Sequence, residues 1–161
     1  MLPRGPALGF VASTRKDEYL KSKESMLATI DVCMAGRAAE ELLFGKKNIT
    51  QGASSDFQQA SRIALEMVAR YGMSEEVGMV FYTDDALARL SSDELAKINR
   101  AVKDLLESSY GRVKKLLTEK NKEHTLLAEA LLSEETLDAK QIKQKIGWRK
   151  EDVRSPAPTL V

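Results

Sequence analysis

The chain has 161 residues, 43% of them hydrophobic and 30% charged, a balance typical of an ordinary globular protein with one domain. Its 25 basic and 24 acidic residues nearly cancel, so neither a nucleic acid nor an anionic membrane surface is an expected partner. The only cysteine, Cys33, excludes an internal disulfide and is interpreted as a core residue. No apolar run reaches the roughly 18 residues of a membrane helix.

The first predicted element is a short strand over residues 7–11. Pro3 and Pro6 precede it, and because proline cannot donate to a central ladder, we expect the strand to lie at the edge of a sheet. Such a strand either accepts an extended peptide or belongs to a larger sheet. Its residues are Ala7, Leu8, Gly9, Phe10 and Val11. The apolar start of the chain suggests the middle of a longer protein.

A helix is predicted over residues 22–44, with Gly45 as its C-terminal cap. The apolar positions at helical spacing are Met26, Leu27, Ile30, Cys33, Met34, Ala38 and Leu42. Gly36 lies inside this helix, where glycine costs about 1 kcal/mol relative to alanine. We therefore expect another backbone, that of a second helix, to come close at Gly36. Arg37 is expected to pair with Glu40 or Glu41 in a structural role.

Asp56 is the residue most informative about function. Ser55 and Gln58 have the spacing of a capping box, so a helix is predicted to begin here and to end near Tyr71. Asp56 lies on the same helical stripe as apolar residues, which are Ala60, Ile63, Ala64 and Met67. An inward carboxylate needs a cation, N–H donors or a metal. Asp56 is thus either satisfied by the N-terminus of its own helix or a metal ligand.

The rest of the chain is predicted to be mainly helical. Residues 73–82 mix a turn with a short apolar run that could form one more strand. Capping boxes at Ser91 and at Asp138 predict a long amphipathic helix to about residue 121 and a last short one ending at Gly147. The fold class is mostly α, with one or two short edge strands and a long C-terminal helical hairpin. Residues 148–161 are expected to form a disordered tail.

Residue types for familiar catalysis are scarce. The single histidine, His124, stands in a charged segment and is interpreted as a solvated helix residue. One histidine cannot serve a nucleophilic triad or supply a zinc site of ordinary design, and no Walker-type phosphate loop is present.

Four segments, in order and at about the same spacing, resemble FtsH-type ATP-dependent zinc metalloproteases. They are Pro3-Arg4-Gly5-Pro6-Ala7-Leu8-Gly9, Gly36-Arg37-Ala38-Ala39-Glu40-Glu41, Thr50-Gln51-Gly52-Ala53-Ser54-Ser55-Asp56 and Tyr71-Gly72-Met73-Ser74. The resemblance extends from Pro3 to about Ile146, and the sequence is most similar to the mitochondrial i-AAA branch.

The resemblance implies a membrane-anchored homo-hexamer in which an ATPase ring feeds unfolded polypeptides to helical peptidase domains. Family zinc is held by two histidines of a His-Glu-x-x-His helix and by the aspartate of a Gly-Ala-x-x-Asp motif, which matches Asp56. Residues 7–11 correspond to the strand beside which substrate lies. Gly36 corresponds to a helix packed near the His-Glu-x-x-His helix. Parent proteins of this kind lie in the mitochondrial inner membrane, or in chloroplast or bacterial inner membranes.

The sequence also departs from the family pattern. The His-Glu-x-x-His helix, the ATP-binding module and the membrane segments are absent from this chain, and Gln51, Phe57 and Ser61 differ from the usual residues. Residues 1–147 are accordingly interpreted as the downstream portion of a zinc metallopeptidase domain that is inactive by itself. The alternative is a non-catalytic helical module that assembles with full-length hexamers and regulates them.

Overall fold

The computed structural model describes residues 20–148, and six α-helices lie within that range. They are α1 (Lys23–Phe44), α2 (Ser54–Ala69), α3 (Asp84–Leu87), α4 (Ser92–Glu119), α5 (Asn121–Glu134) and α6 (Ala139–Lys145). The helices α1 to α4 belong to one compact unit, and α5 and α6 belong to a second. The prediction of a mostly α protein is confirmed.

Side chains near each helix start explain several of these boundaries. Ser22 accepts a hydrogen bond from the Ser25 N–H at the start of α1, and Gly45 ends that helix with a φ of +76°, which favours glycine. The predicted capping box at α4 is confirmed, because Ser91 and Glu94 each accept from the other's backbone N–H. The box formed by Asp138 and Gln141 at α6 is also present.

The predicted capping box at the start of α2 is wrong. The cap residue of α2 is Ala53, and no side chain caps the helix. Instead a 3₁₀ turn over Gln51–Ala53 leads directly into α2, and the hydroxyl of Thr50 accepts a hydrogen bond from the Gly52 N–H at the start of that turn. Thr50 therefore does the capping five positions earlier than the sequence pattern indicated.

Neither short strand is seen in the described part of the chain. Residues 7–11, with the predicted edge strand, lie outside it. In place of a strand at residues 73–82 there is a tight turn closed by one isolated antiparallel bridge between Ser74 and Gly78. Gly72 and Gly78 both have positive φ there, so the backbone reverses direction instead of extending. Residues 149–161, most of the predicted tail, also lie outside the described range.

The core of the first unit lies between α1, α2 and α4. Its buried side chains are Met26, Ile30, Cys33, Met34, Ala38, Ala60, Ala64, Met67 and Val113. A second cluster combines Val68 of α2 with Ile98 and Ala101 of α4. Most of the α1 and α2 positions chosen from helical spacing are thus core residues, including Cys33, whose thiol is free.

Two ion pairs join α1 to α4 at the edge of this core. Asp31 accepts from Arg112 at 2.7 Å and from the hydroxyl of fully buried Ser109. Glu41 accepts from Lys114 at 2.7 Å and from the Tyr110 hydroxyl. These contacts fix the rotation of α1 about its axis and thereby which face of α1 meets α2.

The second unit is smaller. Ala130 is buried in α5, and Lys145 of α6 pairs with Glu134 of α5 at 2.6 Å. His124 is half-buried in the first turn of α5. Among residues 20–148, no helix has both the length and the apolar character needed to cross a bilayer.

Candidate metal centre

Asp56 is the third residue of α2 and lies against α1. A Cβ built on Gly36 would be 3.7 Å from Oδ2 of Asp56, so the carboxylate covers the exposed backbone of Gly36. Cys33 lies one turn earlier on α1. Burial raises the pKa of its thiol, and the negative charge of Asp56 raises it further. The Asp56 side chain is half-buried and thus lies at the boundary between the α1–α2 contact and solvent.

The Asp56 carboxylate has no protein partner within the described range. Between residues 20 and 148, no side chain or backbone group donates a hydrogen bond to it or forms an ion pair with it. The helix N–H groups that could have satisfied a first-turn acid make no hydrogen bond to it among residues 20–148. A half-buried carboxylate with free oxygen lone pairs fits the requirements of a ligand for a hard or borderline metal such as zinc.

The reason predicted for Gly36 needs a correction. We expected a backbone to approach it, but the nearest atom to a built Cβ is a side-chain oxygen, that of Asp56. The second helix predicted at this position is indeed present, and it is α2. What meets Gly36 is therefore the carboxylate and not the peptide chain.

The loop before Asp56 is fastened to α1 by one carboxylate oxygen. Oε1 of Glu40 accepts from the Thr50 hydroxyl at 2.6 Å and from the Thr50 N–H at 3.1 Å. The same hydroxyl accepts from the Gly52 N–H at 3.1 Å. The two bonds from Thr50 lower the pKa of Glu40, so Glu40 is charged at neutral pH and holds the start of the 3₁₀ turn.

Arg37 makes a second connection between α1 and this region. Its guanidinium lies 5.2 Å from the centre of the Phe57 ring, within the range of a cation–π contact. Its Nη1 lies 3.6 Å from Oε2 of Glu40, which confirms one of the two pairings predicted for Arg37. That nitrogen is buried and has no hydrogen-bond partner among the described residues.

Sequence reasoning did not find the contacts of Thr50 and Phe57. Thr50 lies ten positions from Glu40, and Phe57 lies farther still from Arg37, so no helical spacing connects them. The open groove beside Arg37, of about 450 Å³, is lined by Arg37, Phe57 and Tyr110 among others, but Asp56 is not one of its lining residues. Across residues 20–148, no three His, Cys, Asp or Glu side chains are grouped to hold a metal ion.

These features place in the first turn of α2 a half-buried carboxylate that has no hydrogen-bond or ion-pair partner among residues 20–148, suited to contribute a single ligand to a metal centre. Residues 1–145 match the sequence model of peptidase family M41. The chain belongs to this peptidase family.

Named relatives agree with that assignment. The chain is 45% identical over 155 residues to the ATP-dependent zinc metalloprotease YME1L1 of Mus musculus, an alignment that covers 96% of this chain and 21% of the relative. It is 48% identical over 145 residues to the chloroplastic/mitochondrial FTSH 11 of Arabidopsis thaliana, an alignment that covers 89% of this chain and 18% of the relative. It is 39% identical over 161 residues to FtsH of Rickettsia prowazekii, an alignment that covers 94% of this chain and 25% of the relative. The chain thus spans about a fifth of the length of these relatives.

Proposed function

We propose that this chain is the downstream portion, over residues 1–147, of the peptidase domain of an ATP-dependent zinc metalloendopeptidase, and that Asp56 is its third zinc ligand. The complete enzyme is called the parent protease below. One observation carries the proposal: the carboxylate of Asp56, at the position that matches Gly-Ala-x-x-Asp, is half-buried and unpaired among the described residues. The relatives support it, because they are named as ATP-dependent zinc metalloproteases.

The role of this chain in catalysis is to hold the metal. In such a site the zinc ion supplies Lewis-acid activation of water and of the peptide carbonyl. Asp56 would contribute a carboxylate oxygen from the first turn of α2. The two imidazoles and the general-base glutamate belong to a His-Glu-x-x-His helix, a motif that the printed sequence does not contain. The chain by itself is therefore expected to bind zinc weakly and to cleave no peptide.

The other parts of the proposal follow from the family. Unfolded or membrane-protein polypeptides are the substrates, lying extended beside residues 7–11. The parent protease is a homo-hexamer, and its ATP is bound by a module outside this chain. The mitochondrial inner membrane is the proposed location, in keeping with the relatives named YME1L1 and FTSH 11. Chloroplast and bacterial inner membranes are the alternatives, since one relative is a bacterial FtsH.

The experiment that tests this proposal replaces Asp56 by Asn in the parent protease. Proteolysis of an unfolded substrate should be abolished while ATP hydrolysis continues, because the substitution removes a ligand charge without changing the side-chain shape. Asp31→Asn is the matched control, since Asp31 is a half-buried aspartate of the same unit that is paired with Arg112. Unchanged proteolysis in Asp56→Asn would exclude Asp56 as a ligand.

The coding sequence upstream of Met1 separates the two candidate functions. An in-frame His-Glu-x-x-His motif and Walker loop are expected for the peptidase. A start codon at Met1 preceded by stop codons would favour the non-catalytic module that regulates full-length hexamers.

A further inference from the structure

The 3₁₀ turn that leads into α2 is hydrogen-bonded to α1 through the side chain of Glu40. Oε1 of Glu40 accepts hydrogen bonds from the hydroxyl of Thr50 at 2.6 Å and from its N–H at 3.1 Å. Oε2 of Glu40 lies 3.6 Å from Nη1 of Arg37. Thr50 is the cap residue of the 3₁₀ turn. Arg37 in turn covers the ring of Phe57. Glu40 thus binds the chain before Asp56 directly and is linked to the chain after it only through Arg37.

This attachment leaves little freedom between Glu40 and Asp56. The Thr50 hydroxyl donates to Glu40 and accepts from the Gly52 N–H, so both of its hydrogen-bonding capacities are used. A Cβ built on Gly52 would come within 3.2 Å of that hydroxyl. The 3₁₀ turn then continues into α2 without a break, because the Ser54 N–H donates to the Gln51 carbonyl. The direction of the first turn of α2, and with it that of the Asp56 carboxylate, follows from where Thr50 is held.

Metal ligands need such support because a ligand oxygen must keep its direction toward the ion. Asp56 has no hydrogen-bond partner of its own within residues 20–148, so its orientation depends on the backbone that carries it. We propose that Glu40 is the positioning residue for Asp56, and that it acts through Thr50 on one side and through Arg37 and Phe57 on the other. This inference rests on the proposed function of Asp56.

The test measures zinc release from the purified parent protease into an excess of a coloured chelator. Glu40→Ala and Thr50→Val should each release zinc about tenfold faster than the unaltered enzyme, the lower end of what is lost when the support of a metal ligand is removed. The double variant should release zinc more slowly than the product of the two single effects predicts, because both changes break the contact between Glu40 and Thr50. Thr50→Ser keeps the hydroxyl and should restore the normal rate.

The neighbouring carboxylate is the matched control. Glu41 stands on the same helix and is also ion-paired, but its partners Tyr110 and Lys114 are on α4. Glu41→Ala should leave the rate of zinc release within about twofold of normal. Where Glu40→Ala impairs folding by leaving Arg37 buried without a carboxylate, Thr50→Val decides, since it leaves the Arg37–Glu40 pair intact. The visible absorption of cobalt(II) in place of zinc gives a second readout and should change in Thr50→Val but not in Thr50→Ser.

Each outcome bears on one of the two proposals. Normal zinc release in Thr50→Val, together with rapid release in Asp56→Asn, would overturn the role of Glu40 while leaving Asp56 a ligand. Equal acceleration by Glu40→Ala and Glu41→Ala would also overturn it, because the effect would then be a general loss of stability. Normal release in Asp56→Asn would reject the proposed function itself and this inference with it.

Discussion

Replacing Gly36 by alanine should stabilise the chain, although glycine stands there at a helix contact. Gly36 lies in the interior of α1 with no positive φ, and among residues 20–148 the new methyl group would meet only Oδ2 of Asp56, at 3.7 Å. That distance is an ordinary van der Waals contact, so no strain offsets the gain in helix propensity. The expected increase in the free energy of unfolding is about 0.8–1.0 kcal/mol, which corresponds to about 2–4 °C in Tm for a chain of this size.

Gly111 provides a matched position for this experiment. It is also an exposed glycine in a long helix, α4, and a Cβ there would meet no atom of the described part of the chain within 4 Å. Gly111→Ala should therefore give the same stabilisation. Urea denaturation of the 161-residue chain, followed by circular dichroism, measures both changes, and unaltered m-values would show that the denatured state is unaffected.

Valine at the same two positions measures the room around Asp56. At Gly111 valine should be about 0.5 kcal/mol less stabilising than alanine, the difference in their helix propensities. At Gly36 a branched side chain cannot turn both methyl groups away from the carboxylate, and crowding should remove about 1 kcal/mol more. The reasoning is refuted if Gly36→Ala lowers the free energy of unfolding while Gly111→Ala raises it, because a backbone contact would then be present at Gly36.

Three other predictions concern the first unit. Asp31→Ala should cost about 1–3 kcal/mol in the free energy of unfolding, because it leaves the fully buried Ser109 hydroxyl without its acceptor; urea denaturation checks this. Burial and the Glu41 carboxylate raise the pKa of Tyr110 to about 12, so the absorbance of its phenolate should appear near that pH, and Glu41→Gln should bring it to lower pH. Cys33 should react with iodoacetamide at pH 8 far more slowly in the folded chain than in urea, since burial and Asp56 raise the pKa of its thiol.

The pair formed by Tyr110 and Glu41 also gives a pH dependence with a definite sign. The folded pKa of Tyr110 is raised, so its contribution to stability is complete below pH 10 and is lost as the pH rises toward 12. Hydrogen bonds from Lys114 and then Tyr110 lower the pKa of Glu41, so its contribution is present above pH 4.5 and is lost as the pH falls. A Glu41→Gln variant with the same loss of stability in acid as the unaltered chain would contradict this account.

Local sequence patterns predicted the helices well because helix caps and helical spacing depend on residues that are close together in sequence. The capping boxes at Ser91 and Asp138 lie within four residues, and both form as expected. The stripe that contains Asp56 and Ala60 does face α1. The box at Ser55 failed because a 3₁₀ turn, capped by the Thr50 hydroxyl and hydrogen-bonded to Glu40, leads directly into α2.

The features that distinguish the candidate site depend on contacts between distant parts of the sequence. Nothing in the residues around Asp56 indicates that its carboxylate lacks a partner, because that depends on which groups α1 presents to it. The contact between Arg37 and the Phe57 ring joins two helices, and no periodicity shows it. The motif resemblance to FtsH-type peptidases is confirmed by the match to peptidase family M41, since a motif retains the spacing of residues that meet in three dimensions. The role of Asp56 as a ligand stays a prediction.

The most direct test of the central claim is a zinc anomalous map from crystals of the parent protease. We predict a zinc peak within about 2.0–2.2 Å of a carboxylate oxygen of Asp56, beside Gly36 of α1. A zinc ion held by other side chains, with the Asp56 carboxylate pointing into solvent, would contradict the account.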